Sequence, residues 1–350
     1  MRVQVSQSSM LLLVGLLGCH RSDDLKFNQS VTEVFEQVPT NEVDILWVVD
    51  DSVSMVEEQQ RVHDGAADFI TNLDVSGMDF HLGVITTDVE AEGASVLQGE
   101  PPYLTNADAD YTEAFQERVA GVGTEGDQME SGYEAAINAL TSPKIDNENA
   151  GFLREDATLA IIVLSDENDC SDFGAFEEDA TGFNCDSPGA PLVPVADLLT
   201  MLRDAKGIDS HSSLLSLSGI IGPPAEEGCA NAIPGERYAE GISLVGGVDA
   251  NICATDYGDI MNDLGLVAAG LKSTFTLANV ASEPSIQVTV TPAEGASYEV
   301  SSDATNGWTY EASPTSHLIF NGEGVPPRGS SFSVSYEVVS TGSIPSGASP

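Results

Sequence analysis

The chain has 350 residues, 41% of them hydrophobic, and sets 56 acidic side chains against 12 Lys plus Arg, for a formal net charge of −44. That length accommodates one sizeable domain and a smaller companion. The charge excludes nucleic-acid binding and direct adsorption to anionic lipid, since both depend on Lys and Arg. The acids are spread over the whole chain, which reads first as solubility and second as a surface that concentrates cations.

In chain order, Arg2 is the only charge before a short apolar run at 10–17, which ends at Gly18-Cys19. The run is too short to span a bilayer and reads as the core of a signal peptide at 1–18. Leu16-Leu17-Gly18-Cys19 resembles a bacterial lipobox, which implies lipidation of Cys19. The alternative is plain secretion with a free Cys19. The expectation is an exported protein, lipid-anchored in the bacterial envelope (outer membrane or cell surface), touching the membrane only through that anchor. Residues 19–40 are polar and read as a tether.

Four apolar, β-branched runs follow, at 43–49, 80–86, 157–164 and 213–221. Such runs are strands buried on both faces, as in a parallel sheet covered by helices. Helical spacing lies between them, with Val56, Ala66, Phe69, Ile70 and Leu73 on one stretch and Tyr133, Ala136, Ile137 and Leu140 on another. Further helices are expected over 196–203 and 257–271. The alternation predicts an α/β domain over 41–274, with a doubly wound, mostly parallel sheet and helices on both faces.

Beyond 275 the period changes to two, as in Ile286, Val288, Val290 and in Phe332, Val334, Tyr336, Val338. This predicts a small antiparallel β module over 275–340, followed by a disordered tail at 341–350. Setting Cys19 aside, Cys170, Cys185, Cys229 and Cys253 form an even set in an exported chain, which predicts two disulfides. A zinc site is the competing reading, but there is no C-x-x-C and no nearby pair of His. Of the three possible connectivities, the sequential one (170–185 and 229–253) is favoured.

The first buried run leads directly into Asp50-Asp51-Ser52-Val53-Ser54-Met55, and the third ends at Ser165-Asp166. In an open α/β sheet, ligands gather beyond the carboxyl ends of the strands. Hard oxygen donors converging there suit Mg²⁺ or Ca²⁺. The D-x-S-x-S pattern after a buried strand closely resembles the first element of a von Willebrand factor A domain. Gly123-Thr124-Glu125-Gly126-Asp127 looks like that family's threonine loop, and Ser165-Asp166-Glu167-Asn168-Asp169-Cys170 like its aspartate loop. The resemblance covers about 41–274 and implies one divalent cation, Mg²⁺ or else Ca²⁺ or Mn²⁺, held by Asp50, Ser52, Ser54, Thr124 and Asp166. One departure is Val53, where many members have Gly. A helix cap is the bland reading of the Asp and Ser residues.

Three other matches fail on context. Gly121-x-Gly123-x-x-Gly126 follows a helical pattern where a dinucleotide site needs a strand. The run from Gly265 to Gly270 has Leu271 where a phosphate loop needs Lys. The segment from Asp146 has Ala157 where a calcium-hand loop closes on an acid. The resemblance therefore implies a binding module, not an enzyme, in which a protein or surface ligand offers a carboxylate to the cation. The alternatives are a structural envelope protein with the metal as a staple, and a Mg²⁺-dependent phosphatase using Asp50. The last would want a second Asp where Ser52 stands.

Overall fold

The computed structural model describes residues 30–339 apart from 38–39, 92, 127–129, 176–188, 210–211, 213, 225–228, 230–231, 271–273, 313–315, 322–323 and 328. The signal peptide, Cys19, Cys185 and the tail at 341–350 lie outside the described residues.

After β1 (Ser30–Glu36), the chain builds β2 (Glu42–Val49), α1 (Val56–Val75), β3 (Asp79–Thr86), β4 (Leu104–Thr105), α2 (Tyr111–Gly121) and α3 (Gly132–Leu140). It continues through β5 (Thr158–Ser165), α4 (Val195–Lys206), β6 (Leu215–Ile221), α5 (Glu236–Val245), β7 (Asp249–Asn251) and α6 (Gly258–Ala268). Strands β2 to β7 form one sheet in the order β4-β3-β2-β5-β6-β7. Every neighbour pair in it is parallel except β3 with β4. The protein is thus mixed α/β, as the alternation of apolar runs and helical spacing predicts.

Strand β2 explains why the run is unbroken. Val43, Ile45, Trp47 and Val49 enter one hydrophobic cluster with Val62, Phe69 and Leu73 of α1, Phe115 of α2 and Met261 of α6. Leu46 and Val48 enter a second cluster with Tyr133 and Ile137 of α3, Leu198 of α4 and Ile242 of α5. Both faces of the strand are therefore covered, and both must be apolar. Helix α1 lies close on α6: a Cβ at Gly65 would collide with the Met261 side chain.

The one polar residue inside this run, Asp44, is fully buried at the amino end of the sheet. It accepts from the backbone N–H and Nε of Arg154, both at 2.7 Å, and Lys206 Nζ lies 4.0 Å from it. Burial pushes its carboxyl up, against the pull of Arg154.

The second unit contains β8 (Thr274–Thr276), β9 (Gln287–Thr291), β10 (Tyr298–Val300), β11 (Trp308–Glu311), β12 (His317–Phe320) and β13 (Ser331–Glu337). They make two antiparallel sheets, β1-β13-β9-β10 and β11-β12-β8, around a core of Phe275, Val288, Val290, Leu318, Phe320, Phe332, Val334 and Tyr336.

Here the tether expectation over 19–40 is corrected. Residues 30–36 are a strand paired antiparallel with β13, from Ser30↔Glu337 to Glu36↔Ser331. The pairing is driven by Phe35, whose ring lies 5.2 Å from Phe332 and 5.4 Å from Phe275. The β module therefore takes strands from both sides of the α/β domain.

The Cys-bearing stretch at 222–255 contains α5 and β7. Tyr238, Gly241 and Ile242 give α5 a buried face. Cys229 and Cys253 are bonded, with Cα atoms 5.8 Å apart, and Cys170 is also in a disulfide. Among the described residues no helix is long and apolar enough to cross a membrane.

Candidate metal site at the switch point of the sheet

In the sheet order, the chain moves from β2 outward to β3 and β4, then returns to the other side of β2 as β5. The strand order reverses between β2 and β5, and a crevice forms outside their carboxyl ends at such a point. Asp50 leaves β2 and Asp166 leaves β5 at that place, and Asp50 N–H donates to Leu164 O at 2.9 Å.

Asp50 is fully buried. One carboxylate oxygen accepts from the Ser52 backbone N–H at 2.8 Å, and the other from the Ser165 hydroxyl at 2.7 Å. The first bond turns the chain, so that the Ser52 and Ser54 hydroxyls come together at 3.0 Å. The Ser54 hydroxyl donates in turn to Asp166 at 3.2 Å. Asp50 is thus joined through the Ser52 backbone N–H to the pair of hydroxyls, Ser52 and Ser54, that reaches Asp166 across the crevice.

Thr124 is placed differently. It is half-buried on a loop pinned through its neighbours: Gln59 Nε2 donates to Gly123 O at 2.8 Å and to Asp50 O at 2.9 Å. Gly126 N–H donates to Asp51 O at 2.8 Å. Gly123 has φ +80, which suits the residue type. The loop therefore borders the crevice, but no hydrogen bond ties the Thr124 hydroxyl to the other four residues. Asp127 lies outside the described residues.

Two acids stand in the site without having been singled out by the sequence as ligands. Asp51 points inward against Gly126, where a Cβ would collide with its carboxylate. Glu130 is 1% exposed. Its side chain takes the Thr87 hydroxyl, its carbonyl accepts from Cys170 N–H at 2.7 Å, and Thr87 is held by Val49 O at 3.2 Å. One oxygen of each acid, Asp51 Oδ1 and Glu130 Oε1, is buried without a hydrogen-bond partner. The D-x-S-x-S pattern carries no signal for Glu130, which lies eighty residues away in sequence on the approach to α3.

The electrostatics follow from packing acids together away from water. Burial first, then the charge of Asp88, pushes Asp51 up to about 6. Burial and the charge of Asp50 push Asp166 up to about 6. Burial, followed by Asp50, pushes Glu130 up to about 10. Asp50 is raised by burial, with its bonds to Ser52 and Ser165 opposing the rise. Among the described residues no Lys or Arg forms an ion pair with any of these four; Arg61 is taken by Glu57 and Glu58, and Arg237 by Asp169 at 3.0 Å.

No family model matches the sequence, and no curated protein does. Among solved structures, the chain resembles the pilus adhesin SpaC from Lactobacillus rhamnosus GG over 88% of its own length, at 14% identity and a TM-score of 0.40. It spans 41% of that adhesin's length. A likeness so distant leaves the reading of the site to the residues themselves.

The donor set is all oxygen and the charge is all negative, which is what a hard divalent cation takes. Among the described residues no three His, Cys, Asp or Glu converge as a metal cluster, so a cation here would depend on the Ser52 and Ser54 hydroxyls together with the flanking carboxylates. Two buried acid oxygens that lack a donor are consistent with the same ligand class.

Proposed function

We propose that the chain is an exported, lipid-anchored envelope protein whose α/β part is a doubly wound von Willebrand factor A-type domain. It binds one divalent cation, Mg²⁺ or else Ca²⁺ or Mn²⁺, at the carboxyl ends of β2 and β5. Through the cation it takes a carboxylate from a protein or surface ligand. The single observation that supports this reading most is the bonded series Asp50–Ser52–Ser54–Asp166 at the point where the strand order reverses.

The cation would neutralise acids that have no basic partner and present a positive charge to an incoming carboxylate. Asp50 itself is buried with both oxygens engaged, which disfavours its use as a phosphatase nucleophile. The reading of the metal as a staple draws on the orphaned Asp51 and Glu130 oxygens, whose charge a cation would offset with no ligand present.

The test is thermal melting and partner capture from envelope extract with Mg²⁺, Ca²⁺ or chelator, for the natural protein and Asp50→Ala. At tenfold over its dissociation constant, a cation raises stability by about 1.4 kcal/mol. Asp50→Ala should fold and lose that response, and captured ligand should come off with chelator. A variant that still melts higher with cation places the site elsewhere. Loss of cation with retained ligand favours the staple.

A further inference from the structure

A cleft of about 450 Å³ opens between α2 and the segment 98–109 that precedes it, within the roughly 300–1,000 Å³ of small-molecule sites. None of Asp50, Ser52, Ser54, Thr124 and Asp166 lines it, so the cleft is independent of the candidate cation site. We propose that it binds a small zwitterion, an α-amino acid with an apolar side chain. The carboxylate meets Arg118, and the ammonium lies among Glu100, Asp108 and Glu117.

Arg118 is the cation of the lining and is 7% exposed. Arg61, Arg154 and Arg237 each pair with an acid, whereas Arg118 pairs with none among the described residues. Burial pulls its guanidinium down from the ordinary range, against the charges of Asp108 and Glu100. Its Nη1 donates to Pro102 O at 3.0 Å and its Nη2 to Pro101 O at 2.5 Å. A guanidinium has five N–H donors, so Nε–H and a second hydrogen on Nη2 are left. Together they form the edge that grips a carboxylate in two parallel bonds. Gly99 puts no side chain over that edge: a Cβ there would lie 3.0 Å from Nε and 3.4 Å from Nη2.

The charge around the cleft selects against simpler ligands. Glu100 and Glu117 are exposed at its rim. Asp108, also on the lining, accepts from the Thr105 N–H at 2.7 Å and hydroxyl at 2.8 Å. Three carboxylates repel a plain anion before it reaches Arg118, and the buried guanidinium repels a plain cation. A molecule that carries both charges satisfies both ends. Leu104 and Ala114 supply an apolar wall for its side chain.

The experiment is calorimetric titration of the full mature chain, in chelator, with L-leucine and two half-charged analogues. Isocaproate lacks the ammonium, and isoamylamine lacks the carboxylate. Leucine should bind about tenfold or more tighter than either, because each analogue loses one charge-assisted contact. Arg118→Lys keeps the charge without the fork and should weaken leucine by about tenfold or more. Ala109→Phe, at an exposed position on the lining, should block leucine. Glu100→Gln combined with Glu117→Gln should weaken leucine and strengthen isocaproate. Both side chains are exposed and carry no hydrogen bond or ion pair of their own, so the fold is undisturbed.

A natural protein that binds no leucine overturns the proposal. So does either analogue binding as tightly as leucine, or leucine affinity unchanged in Ala109→Phe or Arg118→Lys. If Arg118→Lys loses its fold with the Pro101 and Pro102 bonds, the rim pair decides, and leucine affinity unchanged there overturns the assignment. The cation reading can stand or fail without moving any of these readouts.

Discussion

At the scale of single residues, the site is a set of acids kept from ionising by one another and by burial. Asp51 and Asp166 hold their protons up to about 6 in the folded chain, against 3.8 when exposed. Between those values the folded state carries protons that the unfolded state has lost. Stability is then greatest at the acid end and falls as pH rises through about 6. Without cation, the urea midpoint should be higher at pH 5 than at pH 7.5. Saturating Ca²⁺ should shrink or reverse that order, since it compensates the ionised carboxylates. Asp166→Asn should flatten the cation-free slope, which separates the local effect from the repulsion of the whole acidic chain. A slope unchanged in Asp166→Asn would refute the assignment to this crevice.

Asp44 makes the opposite case at the other end of the same strand. It is fully buried, and its charge is met by Arg154. Removing one member of a buried pair leaves the other uncompensated, at about 3 kcal/mol or more. Arg154→Met should therefore lower the unfolding free energy by about 3 kcal/mol, and Asp44→Asn in the same background should recover part of it. The denaturant midpoint of the single and double variants checks this, and full additivity would contradict the pairing. Asp44 was visible in the sequence as a lone acid inside an apolar run. Arg154 was not, because nothing local marks which of twelve basic residues reaches it. The same asymmetry holds in the crevice, where Asp50, Ser52 and Ser54 are neighbours in the chain and legible together. Glu130 arrives by tertiary contact.

At the scale of elements, β1 shows why a strand can escape a reading by period. Val31, Glu33 and Phe35 form its half-buried side, while Val34 on the other side is 55% exposed. The inward set thus contains an acid and the outward set a valine, so the alternation is broken in both directions. The acid is accommodated because the Tyr336 hydroxyl donates to Glu33. The buried strands of the sheet were plain from their apolar, β-branched runs, even with Asp44 inside one of them. Truncating Phe35 to Ala should remove the ring that packs on both Phe275 and Phe332 at a cost of about 2–3 kcal/mol, less than a fully buried Phe. The expected readout is faster proteolysis within the β module with the α/β domain intact. Equal sensitivity of both parts, or of neither, would show that β1 does not hold the module together.

At the scale of the whole molecule, the charge and the amino-terminal segment bear on where the protein resides. The Leu16–Cys19 segment is the observation behind the proposed anchor. Cys19→Ser should move the protein from the membrane fraction to the soluble one. Retention in the membrane fraction would mean that something other than a lipid holds it. The acidic surface gives that prediction its contrast, because a chain with a net charge of −44 has little electrostatic reason to remain on an anionic bilayer.

The pairing of β1 with β13 also dictates an order of assembly. Ser30 faces Glu337, so the strand made early must wait for one made near the end of the chain. Everything from β2 to α6 lies between them. Closing so long a span as a flexible loop is slow as well as entropically unfavourable. If the α/β domain folds first, its packed body brings its two ends to a fixed separation, and β1 finds β13 across a short gap. The β module is then a late closure, completed after the rest of the chain has taken its shape. Until that closure, the outer edge of β13 stands without its partner strand and open to one from another molecule.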